Sequence, residues 1–179
     1  METGAFVVAR EACVKEHTRI GEKVSVFEVD ERESIDIDSA GDWVLSESLM
    51  RRKKILFRVD GYVKLGLGHI YNCITLALSM VEHDVLLVTH EDAEPGIKKI
   101  KETNLPYRTF REEADLKDII QDFQPDVWVN DCLNTSKEYI EWLKTNVSRV
   151  VTIEDLGEGS KAADAVVNAL YDENEPRQN

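Results

Sequence analysis

Phe57-Arg58-Val59-Asp60-Gly61-Tyr62-Val63-Lys64-Leu65-Gly66-Leu67-Gly68-His69 decides the fold: a strand end, a glycine-rich turn and a helix start follow one another in that order. Upstream, Ile55 to Val59 is a short, mainly apolar strand suited to the middle of a parallel sheet. Downstream, His69 to Val81 predicts an apolar helix carrying Ile70, Cys73, Ile74, Leu76, Ala77 and Leu78. A helix start at such a turn offers bare N–H groups and a positive dipole end to a phosphate or another anion. His69 falls in the first helical turn, and imidazole exchanges protons near neutrality. The spacing alone reads equally as a ligand or catalytic loop and as a tight turn. The GxGxxG nicotinamide fingerprint fails, because Tyr71 stands where the third glycine belongs.

Beyond this segment the rhythm is regular. Strands are predicted at 85–89, 107–110, 127–129 and 150–153, with helices at 94–103, 114–123 and 137–144 between them and a last apolar stretch at 165–167. That alternation predicts an open, mostly parallel α/β sheet of the Rossmann-like kind, with five strands and both faces covered. Residues 171–179 are polar and unpatterned and read as a tail or linker.

Open α/β sheets keep their sites at the carboxyl ends of the strands, and three predicted strands end there in acidic residues. Asp60 follows the first; it can orient His69, bind a sugar hydroxyl or tie down the loop. Asn130-Asp131 follows the strand at 127–129, and Glu154-Asp155 follows the one ending at Ile153. Each of these also reads as a loop cap. Lys64 can neutralise a phosphate or simply stay solvated, and Gly157 and Gly159 permit a sharp turn after Asp155.

The first fifty residues behave differently. Ala5 to Val8 suggests a strand, and Val24 to Val29 alternates with period two, as a half-buried strand does. Ser39 with Asp42 has capping-box spacing for a helix from Gly41 to Arg52. Asp36 and Asp38 share one face if Ile35 to Asp38 is extended. They can then hold a hard cation such as magnesium or serve the helix start.

Composition narrows the partners. With 22 Lys and Arg against 35 Asp and Glu, the net charge is −13, and the one dense basic cluster is Arg51-Arg52-Lys53-Lys54. A nucleic-acid footprint is not expected. No apolar run reaches the roughly 18 residues of a membrane span, and the N-terminus lacks a signal-peptide pattern, so a cytoplasmic protein is expected. Cys13, Cys73 and Cys132 lie too far apart for a zinc knuckle or disulfide framework and read as reduced thiols.

Arg58-Val59-Asp60, Gly66-Leu67-Gly68-His69 and Cys73-Ile74-Thr75-Leu76-Ala77 resemble the start of the nucleotide-sugar hydrolases of the pseudaminic-acid pathway, the UDP-2,4-diacetamido-2,4,6-trideoxy-β-L-altropyranose hydrolases. These group with spore-coat polysaccharide biosynthesis proteins. The resemblance covers residues 54–170, including Pro125-Asp126 to Asp131 and Ile153-Glu154-Asp155-Leu156. It implies one half of a two-domain, GT-B-type enzyme that releases UDP by water attack at the anomeric carbon. His69 would be the base, with Asp60, Lys64, Gly66, Leu67, Gly68, Asn72, Asp131, Glu154 and Asp155 around the sugar-phosphate site and no cofactor. Where the family usually carries arginine this chain has Asn72, which removes a cation from the pocket edge. Where it usually carries histidine after the aspartate, this chain has Cys132.

Residues 1–53 resemble the C-terminal end of acylneuraminate cytidylyltransferases, through Gly4-Ala5-Phe6, Glu28-Val29-Asp30, Glu33 to Asp38 and Asp42-Trp43. That resemblance implies a magnesium ion held with the help of Asp36 and Asp38. Together the two resemblances imply an excerpt of a fused enzyme with neither site complete. The implied partners are a nucleotide-sugar and the missing C-terminal nucleotide-binding domain, in cis or on a partner chain, with a homodimer as a further option. Two other readings stand beside the hydrolase: cytidylyl transfer as the activity of the whole protein, and a non-catalytic sugar-nucleotide-binding or assembly module.

Overall fold

Lys54–Val59 forms β1, and five further strands join it in one parallel sheet: β2 (Asp84–His90), β3 (Tyr107–Phe110), β4 (Val127–Asp131), β5 (Arg149–Ile153) and β6 (Ala165–Val167). The computed structural model describes residues 7–15, 23–30, 33–61 and 67–168. The chain divides into two units, Met1–Arg51 and Arg52–Asn179. The 171–179 tail lies outside the described residues.

The order across the sheet is β3-β2-β1-β4-β5-β6, the doubly wound arrangement in which the chain reverses direction of growth between β1 and β4. Helices α3 (Gly68–Ser79) and α4 (Glu94–Lys101) link β1 to β2 and β2 to β3. Helices α5 (Glu113–Phe123) and α6 (Lys137–Asn146) link β3 to β4 and β4 to β5. Strand alternation sends odd and even positions of each strand to opposite faces, and the cores divide accordingly. Ile55, Phe57, Val59, Val85, Leu87 and Val129 pack with Ile70, Cys73, Ile74 and Ala77 of α3 and Ile100 of α4. Leu56, Leu86, Val88, Trp128 and Val150 pack with Leu116, Ile119 and Ile120 of α5 and Ile140 and Leu143 of α6. The result is a Rossmann-like α/β sheet covered on both faces, as the βα rhythm predicts.

Local chemistry sets the helix ends. Glu112 and Asp115 close a reciprocal capping box on α5, and Ser136 caps α6 by accepting from the Tyr139 N–H at 3.2 Å. Gln124 ends α5 in the left-handed region, at φ 52°.

Two expectations change in this unit. The sheet has six strands, not five, because Ala165–Val167 pairs with Val151–Ile153 at the edge, where all three of its residues stay exposed. Asn130 and Asp131 are not loop residues but the last two positions of β4, held in the ladder opposite Arg58 and Val59.

In the first unit, α1 (Glu11–Lys15) and α2 (Ala40–Arg51) are the helices among the described residues. The Ser39–Asp42 capping box forms as expected: Asp42 accepts from the Ser39 N–H at 2.8 Å, and Ser39 Oγ accepts from the Asp42 N–H at 3.2 Å. The strand expected at 24–29 is absent, and Val26 and Phe27 are exposed. Alternation marks a strand only where a neighbouring strand supplies ladder partners, and no described residue of this unit does. Of the strand expected at 5–8, Ala5 and Phe6 lie outside the described residues, and Val7 and Val8 are irregular.

Candidate active site at the carboxyl edge of the sheet

The chain leaves β1 at Asp60 and Gly61 and enters α3 at Gly68, after a segment, 62–66, outside the described residues; Lys64 and Gly66 fall within it. Gly61 is buried where strand end and helices meet. A Cβ there would stand 2.6 Å from Ile70 Cγ1 and 3.0 Å from the Gly96 Cα. This close approach seats the first turn of α3 against the end of β1. Leu67 packs on the core as N-cap of α3 and provides no side-chain cap, so the first-turn N–H groups have no side-chain acceptor there. Gly68 has nothing within 4 Å of where a Cβ would sit. Among the described residues nothing crowds that position, so neither crowding nor a left-handed φ explains that glycine.

His69 and Cys73, one helical turn apart, converge on Asp131. His69 Nδ1 is 2.7 Å from Asp131 Oδ1, and the Cys73 thiol donates to Asp131 Oδ2 at 3.4 Å. The Asp131 side chain is 0% exposed and that of His69 15%. An ionised carboxylate only accepts, so the arrangement assigns the proton of His69 to Nδ1 and leaves the Nε2 lone pair for a proton coming from outside. Burial, followed by the charge of Asp131, pushes the Cys73 thiol well up, so Cys73 acts as a thiol donor and not as a thiolate nucleophile. The orienting carboxylate of His69 is therefore Asp131. Asn72 is exposed on α3.

Asp60 takes a different neighbourhood. It follows Arg58, on the α5–α6 face, beside Cys132, and its Oδ1 is buried without a hydrogen-bond partner. Arg58 lies over the rings of Phe110 and Tyr139, with Cζ 5.1 and 4.9 Å from their centroids. Burial opposes its charge, but Tyr139, Cys132 and Asp60 more than offset this and keep it protonated.

The third acidic strand end splits by role. Asp155, 2% exposed, accepts from the Thr135 N–H at 3.0 Å, the Gly157 N–H at 2.9 Å and the Thr135 hydroxyl. All three ties serve the packing of two loops. Gly157 and Gly159 follow from the same packing, since a Cβ on either would collide with Thr135. Glu154 sits at φ 51° with its N–H bonded to the Val167 carbonyl at 2.9 Å.

Asp36 and Asp38 are exposed and belong to no strand, and Asp38 gives its N–H to Asp42 at 3.3 Å. Among the described residues no group of three or more His, Cys, Asp or Glu is placed to share a metal. No described helix is long and apolar enough to cross a membrane.

Cys73, Arg58 and Tyr139 belong to this sheet edge as well, although no motif marks any of them individually as a site residue. The four-residue step from His69 to Cys73 was a usable signal, because it places both on one helix face.

No family model matches the chain, and no solved structure matches it. It is similar to an uncharacterized protein of Methanocaldococcus jannaschii, 28% identical over 121 residues. That match covers 65% of this chain but 25% of the relative, so the chain spans about a quarter of the length of the protein it resembles.

Proposed function

We propose that residues 54–170 are the N-terminal half of a GT-B-type nucleotide-sugar hydrolase, acting in the cytoplasm on a UDP-activated amino-sugar and completed by a second nucleotide-binding domain. The observation that carries this reading is the His69–Asp131 pair at the carboxyl edge, beside a helix start that has no side-chain cap at Leu67. The uncapped N–H groups and the dipole of α3 suit a sugar-phosphate oxygen. His69 Nε2 takes a proton from water as the water oxygen bonds to the anomeric carbon. The bond from that carbon to the phosphate oxygen breaks, and UDP leaves with the electron pair. Asp131 holds the imidazole in the required tautomer and balances the imidazolium that forms.

The test is UDP release by the full-length protein that contains this chain, with UDP-2,4-diacetamido sugars and UDP-N-acetylglucosamine as substrates in ¹⁸O-water. Label appearing in the sugar, with turnover lost in His69→Ala, is the expected result. Absence of cleavage, or cleavage that survives His69→Ala, would overturn the proposal.

A further inference from the structure

A second set of unsatisfied polar groups occupies the other side of the same sheet edge. Arg58 and Asn130 are register partners on β1 and β4, the two strands that flank the reversal in strand order. Leu56 and Trp128, two positions before them, belong to the core under α5 and α6, so Arg58 and Asn130 leave the sheet on that face.

Asn130 is 0% exposed, and its orientation follows from its neighbours. An indole N–H only donates, so the amide oxygen faces Trp128 Nε1, at 3.4 Å; the Tyr139 hydroxyl donates to the same oxygen, also at 3.4 Å. The amide nitrogen is left buried with no hydrogen-bond partner. The Nε of Arg58 is in the same condition. Arginine cannot shed its charge by deprotonating, and the nearby Asp60 carboxylate acts on it through its charge without satisfying Nε. The guanidinium lies over the Phe110 and Tyr139 rings and also hydrogen-bonds the Tyr139 side chain, which leaves Nε as its buried N–H without an acceptor. Tyr139 joins the two groups, with its ring against Arg58 and its hydroxyl on Asn130. Around Tyr139, then, a permanent cation keeps its Nε–H and a neutral amide its NH2 without an acceptor.

We propose that Arg58 and Asn130 bind one oxyanion, a phosphate or carboxylate group of a small ligand, on the α5–α6 side of the sheet edge and apart from His69. The site does not depend on the hydrolase reading. A purely structural arginine would have its N–H groups matched within the fold; Tyr139 takes one of those of Arg58, and Asp60, whose charge acts on it, leaves Nε unmatched.

The experiment is a ¹⁵N NMR titration of the chain with inorganic phosphate, and separately with acetate, at fixed pH and ionic strength. Saturable shifts of the Arg58 Nε–H and Asn130 side-chain amide signals are expected, and the anion that saturates at lower concentration identifies the ligand group. Arg58→Lys, followed at the Asn130 amide, should weaken binding at least tenfold, and His69→Ala should leave it unchanged. If Arg58→Lys does not fold, Asn130→Leu, followed at Arg58 Nε–H, serves in its place. Shifts that fail to saturate with either anion at tens of millimolar would overturn the proposal. So would an Arg58 Nε–H signal that moves in Asp60→Asn and responds to no added anion, since Asp60 would then be the partner.

Discussion

Asp131 Oδ1 and His69 Nδ1 stand 2.7 Å apart although 62 positions separate them in the chain. The contact exists because β4 lies beside β1 with Asp131 in register with Val59, while α3 starts above that same row. Two independent backbone features thus bring one carboxylate and one imidazole together. The carboxylate is wholly buried, and the imidazole keeps one edge toward the outside.

Asp131→Asn offers an amide N–H to Nδ1 and so favours the tautomer with the proton on Nε2. In the full-length protein we expect UDP release to fall by at least about 100-fold, with substrate KM changed far less. Wild-type turnover in this variant would remove Asp131 from the proposed mechanism.

Gly68→Ala places its methyl, in a helical conformation, where no described atom lies within 4 Å. Stability should hold or rise by about 0.5 kcal/mol, because alanine lowers the entropy of the unfolded chain. If the space serves ligand approach, nucleotide-sugar affinity in the full-length protein should fall about tenfold. Thermal denaturation beside a KM measurement separates the two effects.

Gly61→Ala meets the opposite situation. Its methyl would lie 2.6 Å from Ile70 Cγ1 and 3.0 Å from the Gly96 Cα, where backbone leaves little room to yield. Urea unfolding should show a loss of about 1–3 kcal/mol. An unchanged midpoint would mean that α3 and α4 are not tightly seated at this strand end.

Asp155→Ala removes an acceptor from two backbone N–H groups and the Thr135 hydroxyl. A stability loss of about 2–3 kcal/mol is expected in the same assay. A loss within about 0.5 kcal/mol would show that these loops do not depend on that tie.

Asp164 accepts from the Val150 N–H at 2.8 Å and pairs with Lys144 at 3.1 Å. The Val150 N–H is the largest cause that holds its carboxyl below the usual range, and Lys144 adds to it. A carboxylate whose pKa is lower in the native state contributes stability above the unfolded value and loses it as pH falls through the native one. Asp164→Ala should therefore be less stable at neutral pH, with a shallower acid decline in urea midpoints. Parallel declines for wild type and variant would contradict the assigned shift.

Much of this architecture is legible in the linear chain. Runs such as Leu86-Leu87-Val88 are apolar at every position because a central parallel strand is covered on both faces. Errors fall where a strand depends on what lies next to it. Val24 to Val29 has the right alternation and no described ladder partner, whereas Ala165–Val167 is short and exposed and still pairs, because β5 presents an open edge.

Local order was written in the sequence alone: the βα alternation, the covered sheet, the Ser39–Asp42 box and the placement of His69 at a helix start all follow from residue type and short spacing. Tertiary structure decided which of three acidic strand ends meets His69, that Asp155 ties loops, and that Arg58 stands half-buried against Phe110 and Tyr139. The reason is physical. Periodicity assigns a residue to a face and an end of its own element, but strand order and register determine which elements are neighbours, and those are set by packing across the whole sheet.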